Sequence, residues 1–542
     1  MFSSFRTEQP DELSESLERA VLPNSVYDLL VETAREHRDN PAWHFIDADI
    51  TRTWRDVLDS VDRAAAAFMM LGIGKGAHVA VMCRNREEFP IAWLALSRLQ
   101  AAMVPLNPSY SLSELNYALT TSNATFLMIE ADLLDHLEKD NACVIEDPKV
   151  IIIDADTSDR GISWTDALEN ARDVHVPEFS RQRDQLLNLQ FTSGTTGFPK
   201  ACILTNDYWL VLGLCCNAVF AVDLSRYYLG TSFFYMLGFR ILMNALFSGG
   251  CVYVADRPGA KRYIRDIVRF QCDYAGFTEL IYKQPKSADD RKNNLKLASV
   301  FALSPRNHAD FQDRFDVYAQ ELYGMTEIGV ATYVPVHDLA RMTGSGSCGV
   351  TAPFRMLMIA DTQGKSTPCG EVGELCVRGR GVMTGYYRNE DANTASYHGD
   401  WFRTGDLARL DAEGFYSIVG RTNDMIRRSG ENISAREVES VLRSMSEICE
   451  AAVLAVPDDY YGEEVKAYVM LQPGLAMEDV PPSEILAHCA EHLATFKRPR
   501  YIEYREAFPL TKESHRVQKK VLLAEKPDLQ SGSYDSRNQA WI

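Results

Sequence analysis

Phe191-Thr-Ser-Gly-Thr-Thr-Gly-Phe-Pro-Lys200 is the stretch on which the reading of this 542-residue chain turns. It follows an apolar run, residues 187–191, that reads as a buried strand. Four hydroxyls (Thr192, Ser193, Thr195 and Thr196) and two glycines (Gly194 and Gly197) fill six consecutive positions. Such a loop can wrap an oligophosphate with backbone N–H and side-chain O–H donors, glycine permitting close backbone approach. Lys200 adds a point charge. The spacing is not that of a Walker A loop, because the glycines stand three apart and Ala201 follows the lysine. A Gly/Ser/Thr cluster taken alone is more often a surface turn. The order of all ten residues carries the information.

Outward from this loop, the spacing of apolar residues predicts helix over 26–72 and 87–100, and β-rich runs over 78–82, 125–129 and 150–153. Strands alternating with helical patterns make the class α/β, with parallel sheets covered on both faces. The texture changes over 349–420 to short strands punctuated by Gly and Asp (GELCVRG, RGVMTGYY, LARLDAEGFYSIVG), which suits a small antiparallel barrel or sheet. A third texture follows: helix over 434–445, strands over 451–456 and 465–471, helix over 483–493. The expected organisation is therefore a large N-terminal domain, 1–422, of two α/β subdomains and the small β-barrel-like subdomain. A small mobile α+β domain, 423–542, follows it, ending in a loosely ordered tail after Lys526.

Three further motifs stand in order behind the loop: Tyr323-Gly-Met-Thr-Glu327, Trp401-Phe-Arg-Thr-Gly-Asp406 and Gly420-Arg-Thr-Asn-Asp-Met-Ile-Arg-Arg-Ser-Gly-Glu431. With the 191–200 loop they resemble the signatures of the adenylate-forming superfamily: acyl-CoA synthetases, peptide-synthetase adenylation domains and firefly-type luciferases. The resemblance covers most of the chain and implies ATP or acyl-AMP, CoA and Mg²⁺ as ligands. It implies that Tyr323 stacks on adenine, that Thr326 donates to an α-phosphate oxygen and that Glu327 holds Mg²⁺, a hard cation on a hard oxygen. Asp406 would accept from the ribose hydroxyls, with Arg421 as a permanent charge beside ribose and phosphate. The family hinges at the position of Asn423, and Gly430 lies where its pantetheine arm enters.

The sequence departs from the family in three places. Adenylation needs a cation between two approaching anions, and the family supplies it with a lysine in Pro-x-Thr-x-x-Gly-Lys-Val/Ile-x-Lys. Here the stretch is Pro509-Leu-Thr-Lys-Glu-Ser-His-Arg-Val-Gln-Lys519. Aligned on Val517, Arg516 takes the lysine's place; aligned on Thr511, His515 does. Arg is a planar fork on a longer stem, not a compact ammonium. At Ala302-Leu-Ser-Pro-Arg-Asn307, Pro305 and Arg306 stiffen and enlarge a turn that is Gly/Ala-rich in the family, with Ser304 beside the substrate. At Phe233-Phe-Tyr-Met-Leu-Gly238, Tyr235 replaces a common histidine. With Phe234, Phe239 and Gly324, these residues are expected to line an apolar, bulky-tolerant acyl pocket.

Composition sets the outer limits. Lys plus Arg is 56 against 75 Asp plus Glu, a net charge of −19. A surface this acidic repels nucleic acid and anionic membranes. Twelve cysteines without a CxxC pair give neither a disulfide scaffold nor a zinc ribbon. His488, Cys489 and His492 share helical spacing but lack a fourth ligand, so a solvated helix face is the expectation. Lys497-Arg498-Pro-Arg500 reads as a solvated run or a contact for the 3′-phosphate of CoA. No basic n-region precedes an apolar core at the start, and no apolar run reaches the roughly 18 residues of a membrane span. The expectation is a cytoplasmic acid–thiol ligase of the acyl-CoA synthetase type, acting on a carboxylic acid or its acyl-adenylate. Its adenylation half would be impaired or absent at Arg516, and a partner adenylating enzyme could then supply the acyl-AMP. A fully competent ligase, a ligase for a carrier-protein thiol and a non-catalytic adenylate-binding protein remain the alternatives.

Overall fold

The computed structural model describes residues 9–134, 144–145, 149–155, 161–192, 199–301, 303–421, 424–428, 431–458, 461–493, 495–511 and 517–542. Its residue contacts divide the chain into two units. One comprises Met1–Leu357, Val377–Phe402 and Gly414–Tyr416; the other comprises Met358–Cys376, Arg403–Glu413 and Ser417–Ile542.

The first unit holds two large sheets. A seven-stranded sheet runs, in spatial order, Ile162–Ser163, Val150–Ile153, Phe126–Glu130, His78–Met82, Ala102–Pro105, Leu186–Thr192 and Lys200–Thr205. All its neighbours are parallel except the last pair, which is antiparallel. Val150–Ile153 is buried along its whole length, as expected of a parallel strand covered on both faces. A nine-stranded sheet places the parallel strands Ala319–Met325, Leu297–Phe301, Tyr274–Thr278, Arg226–Leu229, Cys251–Val254 and Pro41–Phe45 side by side, with antiparallel strands beyond each end.

Two sequence expectations need correction. The span 26–72 is not one helical region: strands Pro41–Phe45 and Ile50–Thr53 separate the helices Val26–Glu36 and Trp54–Met70. The first helix ends at Glu36, where the His37 N–H caps it on the Thr33 carbonyl, and Trp43 and Phe45 are buried where Pro41–Phe45 joins Cys251–Val254. That partner lies some two hundred residues away, beyond any local pattern. The tail is not loose either. Strands Tyr534–Asp535 and Ala540–Trp541 extend the sheet of the second unit, which runs Glu431–Ser434, Met425–Arg428, Gly462–Leu471, Tyr501–Tyr504 and then the tail, with Ile448–Asp458 also paired to Gly462–Leu471. Asp535 is buried and takes Arg500 as its ion-pair partner.

Helices Ala435–Arg443 and Pro482–His492 bury Val438, Leu442, Ile485 and Cys489 in the core of the second unit. Strands Arg355–Ala360, Val372–Gly379, Trp401–Leu410 and Tyr416–Arg421 belong to a five-stranded sheet over 355–421, the β-rich texture seen in the sequence. No helix among the described residues is long and apolar enough to cross a membrane.

Candidate active site

The strand Leu186–Thr192 turns back as Lys200–Thr205, with Thr192 opposite Lys200. The neck of the 191–200 loop is thus a two-strand ladder; Ser193, Gly194, Thr195, Thr196 and Gly197 lie outside the described residues. Lys200 Nζ stands 4.3 Å above the ring of Tyr386. The Tyr386 hydroxyl donates to Glu327 Oε1 at 2.9 Å, and Glu327 is buried. Burial first, and then the Glu327 charge, push the Tyr386 phenol far above its usual range, so it stays a donor. One aromatic ring therefore ties the end of the loop to the Tyr323–Glu327 motif.

That motif closes a hairpin between Ala319–Met325 and Gly329–Tyr333, with Tyr323, half-buried, opposite Thr332 and a bulge between Tyr323 and Gly324. A Cβ on Gly324 would lie 2.2 Å from the Gly329 carbonyl oxygen, so the glycine serves the hairpin itself. Thr326 is half-buried, and its carbonyl accepts from the Tyr208 hydroxyl at 2.9 Å. Behind the turn, buried Arg355 donates to the Ile328 carbonyl at 2.9 Å and to the carbonyls of Arg380 and Gly381.

Ser304 follows strand Leu297–Phe301 and opens the short turn Pro305–Asn307. The Glu279 carboxylate accepts from the Ser304 N–H at 3.1 Å and from Asn307 Nδ2 at 2.8 Å, fixing the turn from the neighbouring strand end. Phe234 and Tyr235 are half-buried with ring centroids 4.3 Å apart. Gln190 Nε2 donates to the Phe234 carbonyl at 2.9 Å, linking the strand before the loop to this segment. Phe239 is 1% exposed and packs 4.9–5.6 Å from Trp93, Trp209 and Phe89, within an aromatic cluster.

In the second unit, Asp406 is buried and accepts from Arg421 Nε at 2.9 Å. Thr404 Oγ1 donates to the Leu375 carbonyl and accepts the Asp406 N–H, holding the Thr-Gly-Asp corner. Arg516, Asn423 and Gly430 lie outside the described residues. The backbone on either side of 512–516 is anchored: Leu510 bridges Val517, and the Gln518 N–H donates to the Pro509 carbonyl at 2.7 Å. Lys519 is committed to Glu439 at 2.7 Å and Asp424 at 3.4 Å. The run over 497–500 is a set of structural ties: Lys497 meets Glu437, Arg498 donates to the Leu493 and Ala490 carbonyls, and Arg500 meets Asp458 and Asp535. No cluster of His, Cys, Asp and Glu suited to a metal occurs among the described residues. His488 instead contacts Ser444 and the Val441 carbonyl.

Tyr386, Tyr208, Glu279 and Arg355 escape a sequence reading. Tyr386 sits in Gly385-Tyr-Tyr387, which stands out only as part of a β-rich texture. The others signal nothing until the chain folds.

The AMP-binding enzyme family model matches residues 30–387, and the AMP-binding enzyme C-terminal domain matches residues 437–514. The chain belongs to this family, the adenylate-forming enzymes, on their acyl-CoA ligase branch. A crotonobetaine/carnitine–CoA ligase of Escherichia coli O1:K1 is 28% identical over 481 residues, covering 84% of this chain and 90% of that protein. Among solved structures, the anthranilate CoA ligase AuaEII with anthranoyl-AMP superposes with a TM-score of 0.80 at 24% identity, over 93% of this chain and 98% of that one. The o-succinylbenzoate coenzyme A synthetase MenE of Bacillus subtilis, with ATP and a magnesium ion, gives 0.75 at 23% identity over 91% and 98%. The mixed α/β architecture, with a large N-terminal and a small C-terminal domain, is the fold of these neighbours.

Proposed function

We propose that this chain converts a carboxylic acid to its CoA thioester through an acyl-adenylate, with the first half-reaction slow or absent and the second retained. In the first, a carboxylate oxygen attacks the α-phosphorus of ATP and pyrophosphate leaves. In the second, the CoA thiolate attacks the acyl carbon and AMP leaves. ATP, Mg²⁺ and CoA are the cofactor set, in keeping with the ATP, magnesium and acyl-AMP held by the structural neighbours.

Arg516 is the observation that carries the lesion. Alignment on Val517, which bridges Leu510, puts Arg516 at the family's lysine position. Lys519 is held by two carboxylates, so it supplies the missing ammonium only by giving up both ion pairs. A guanidinium keeps the charge but not the shape, and transition-state electrostatics are sensitive to placement.

The remaining residues fit the reading. Glu327 is a buried carboxylate, one oxygen already oriented by Tyr386, and its hard oxygens suit Mg²⁺, which when bound would neutralise phosphate charge. Lys200 and the 192–197 hydroxyls and amides bind phosphates. Thr326 donates to the α-phosphate, Tyr323 stacks on adenine, and Asp406 with Arg421 holds the ribose. Phe234, Tyr235, Ser304 and Gly324 border the acyl group. The chain pivots at Asn423 between the large 1–422 domain and the 423–542 lid, bringing Gly430 to the pantetheine path.

Arg516→Lys tests the assignment. Pyrophosphate release from ATP and acid should rise by about tenfold to a hundredfold, with thioester formation from supplied acyl-AMP little changed. Equal pyrophosphate release by both proteins would place the defect elsewhere, the 302–307 turn first.

A further inference from the structure

Two adjacent residues of the first unit hold costly positions. Phe354 is buried with a φ of 66°, in the left-handed region that a bulky side chain rarely enters. Such backbone persists only where its surroundings over-determine it. Arg355, 7% exposed, carries a guanidinium with no carboxylate partner among the described residues. A desolvated cation is unfavourable unless acceptors replace its water, and here backbone carbonyls do so. Nε donates to Ile328 at 2.9 Å, Nη2 to Gly381 at 3.2 Å, and Nη1 to both Phe354 and Arg380. One planar fork thereby joins backbone from three separate segments.

The segment held this way is a strap over residues 380–387. The Met383 N–H donates to the Glu327 carbonyl at 2.8 Å, the Gly385 carbonyl accepts from the Ile203 N–H at 2.9 Å, and the Tyr387 N–H donates to the Ala201 carbonyl at 2.8 Å. The strap thus runs between the strand that leaves the 191–200 loop and the turn that bears Thr326 and Glu327. Arg355 ties its entrance to that turn. The guanidinium lies so close beneath that a Cβ on Gly329, whose φ is 65°, would stand 2.9 Å from Nη2. Arg380 pairs in turn with Asp207 of the helix Asn206–Phe220 at 2.9 Å. Asn393 ties the exit: its Oδ1 accepts from the Tyr386 N–H at 2.7 Å, and its Nδ2 donates to the Tyr386 carbonyl at 3.0 Å. Between these two anchors sits Tyr386, whose hydroxyl orients the Glu327 carboxylate.

We propose that Arg355 is a positioning residue: by fastening the strap to the 326–329 turn it sets the Glu327 carboxylate for Mg²⁺, without touching metal or nucleotide. The action is geometric. A planar fork reaches three backbone segments at once, and the point charge of a lysine does not reproduce that. The inference deepens the function proposed above and rests on Glu327 as the metal's carboxylate.

Equilibrium binding to the full chain tests it without turnover. ATP is titrated by calorimetry with Mg²⁺ and with EDTA, and AMP with EDTA alone. The wild-type protein should bind ATP more tightly with Mg²⁺ than without. Arg355→Met should remove most of that gain, equivalent to a loss of about tenfold in metal affinity, while AMP binding stays within about twofold. Arg355→Lys should not restore the gain. If Arg355→Met does not fold, Asn393→Ala, which loosens the other end of the strap at a partly exposed position, should reduce the gain in the same direction. Variants that fold and keep the full Mg²⁺ gain, or that lose AMP and ATP affinity in equal proportion, would overturn the inference and leave the metal role of Glu327 standing. A full gain in Arg355→Lys would overturn it as well. A wild-type protein whose ATP binding ignores Mg²⁺ would overturn the metal role itself, and the inference with it.

Discussion

Tyr386 carries more of the site than its place in the sequence suggests. Its hydroxyl orients Glu327 and its ring lies under Lys200, so one side chain sets the geometry of a carboxylate and a cation from different motifs. Tyr386→Phe keeps the ring and removes only the hydrogen bond. It should cost about 1 kcal/mol of stability and raise the Mg²⁺ concentration needed for half-maximal thioester formation or pyrophosphate release several-fold. An unchanged Mg²⁺ dependence would separate Glu327 from the metal. At this scale the sequence discloses the residues that touch nucleotide in the family, because their order and type repeat a known pattern. It conceals those that position them. Glu279 and Arg355 act through backbone groups of segments remote in the chain, and no local pattern marks such contacts.

Elements were legible where pattern and burial agree. The strands His78–Met82 and Val150–Ile153 have the bounds expected from their apolar, β-branched runs, and both are buried throughout. Pro41–Phe45 was not legible, because its partner strand supplies the order its own residues lack. The helix Trp54–Met70 begins at a reciprocal cap: Thr53 Oγ1 accepts from the Asp56 N–H at 3.2 Å, and Asp56 accepts from the Thr53 N–H at 2.9 Å. The Thr53 hydroxyl first, and its N–H second, hold the Asp56 carboxyl below its usual value. Thr53→Ala should therefore cost about 1 kcal/mol and move the Asp56 titration upward in an NMR pH series. The sign follows from linkage. A carboxyl depressed in the folded state stabilises fully above its unfolded value of about 3.9, and the contribution fades as pH falls through the folded value. An Asp56 titration unmoved by the substitution would show that the cap does not form.

The tail is part of the second unit's fold and extends past the end of the matched family domain at residue 514. Its strands pair on Tyr501–Tyr504, its Leu529 carbonyl accepts from fully buried Lys466 at 2.6 Å, and its Asp535 pairs with Arg500. Burial holds the Lys466 ammonium below the usual lysine range, with Glu503 opposing that shift. Deleting residues 527–542 should lower denaturant stability by about 2–4 kcal/mol; an unchanged midpoint would make the tail dispensable. Across the whole chain, a net charge of −19 excluded polyanions as partners only in the bulk sense. ATP and CoA are themselves polyanions, and the account has them bound by a few placed groups: a loop of amides and hydroxyls, Lys200, Arg421 and a metal at Glu327. In so acidic a protein the proposed lesion turns on the identity of the cation at 516, which would set whether the adenylation half runs. The most direct measurement assays the two halves separately on the unaltered protein, with pyrophosphate release from ATP plus a panel of mono- and dicarboxylic acids in one arm, and CoA thioester formation from the corresponding prepared acyl-adenylates in the other. Thioester is expected in the second arm and little pyrophosphate in the first. Brisk pyrophosphate release, or no thioester from any adenylate, would contradict the proposed function.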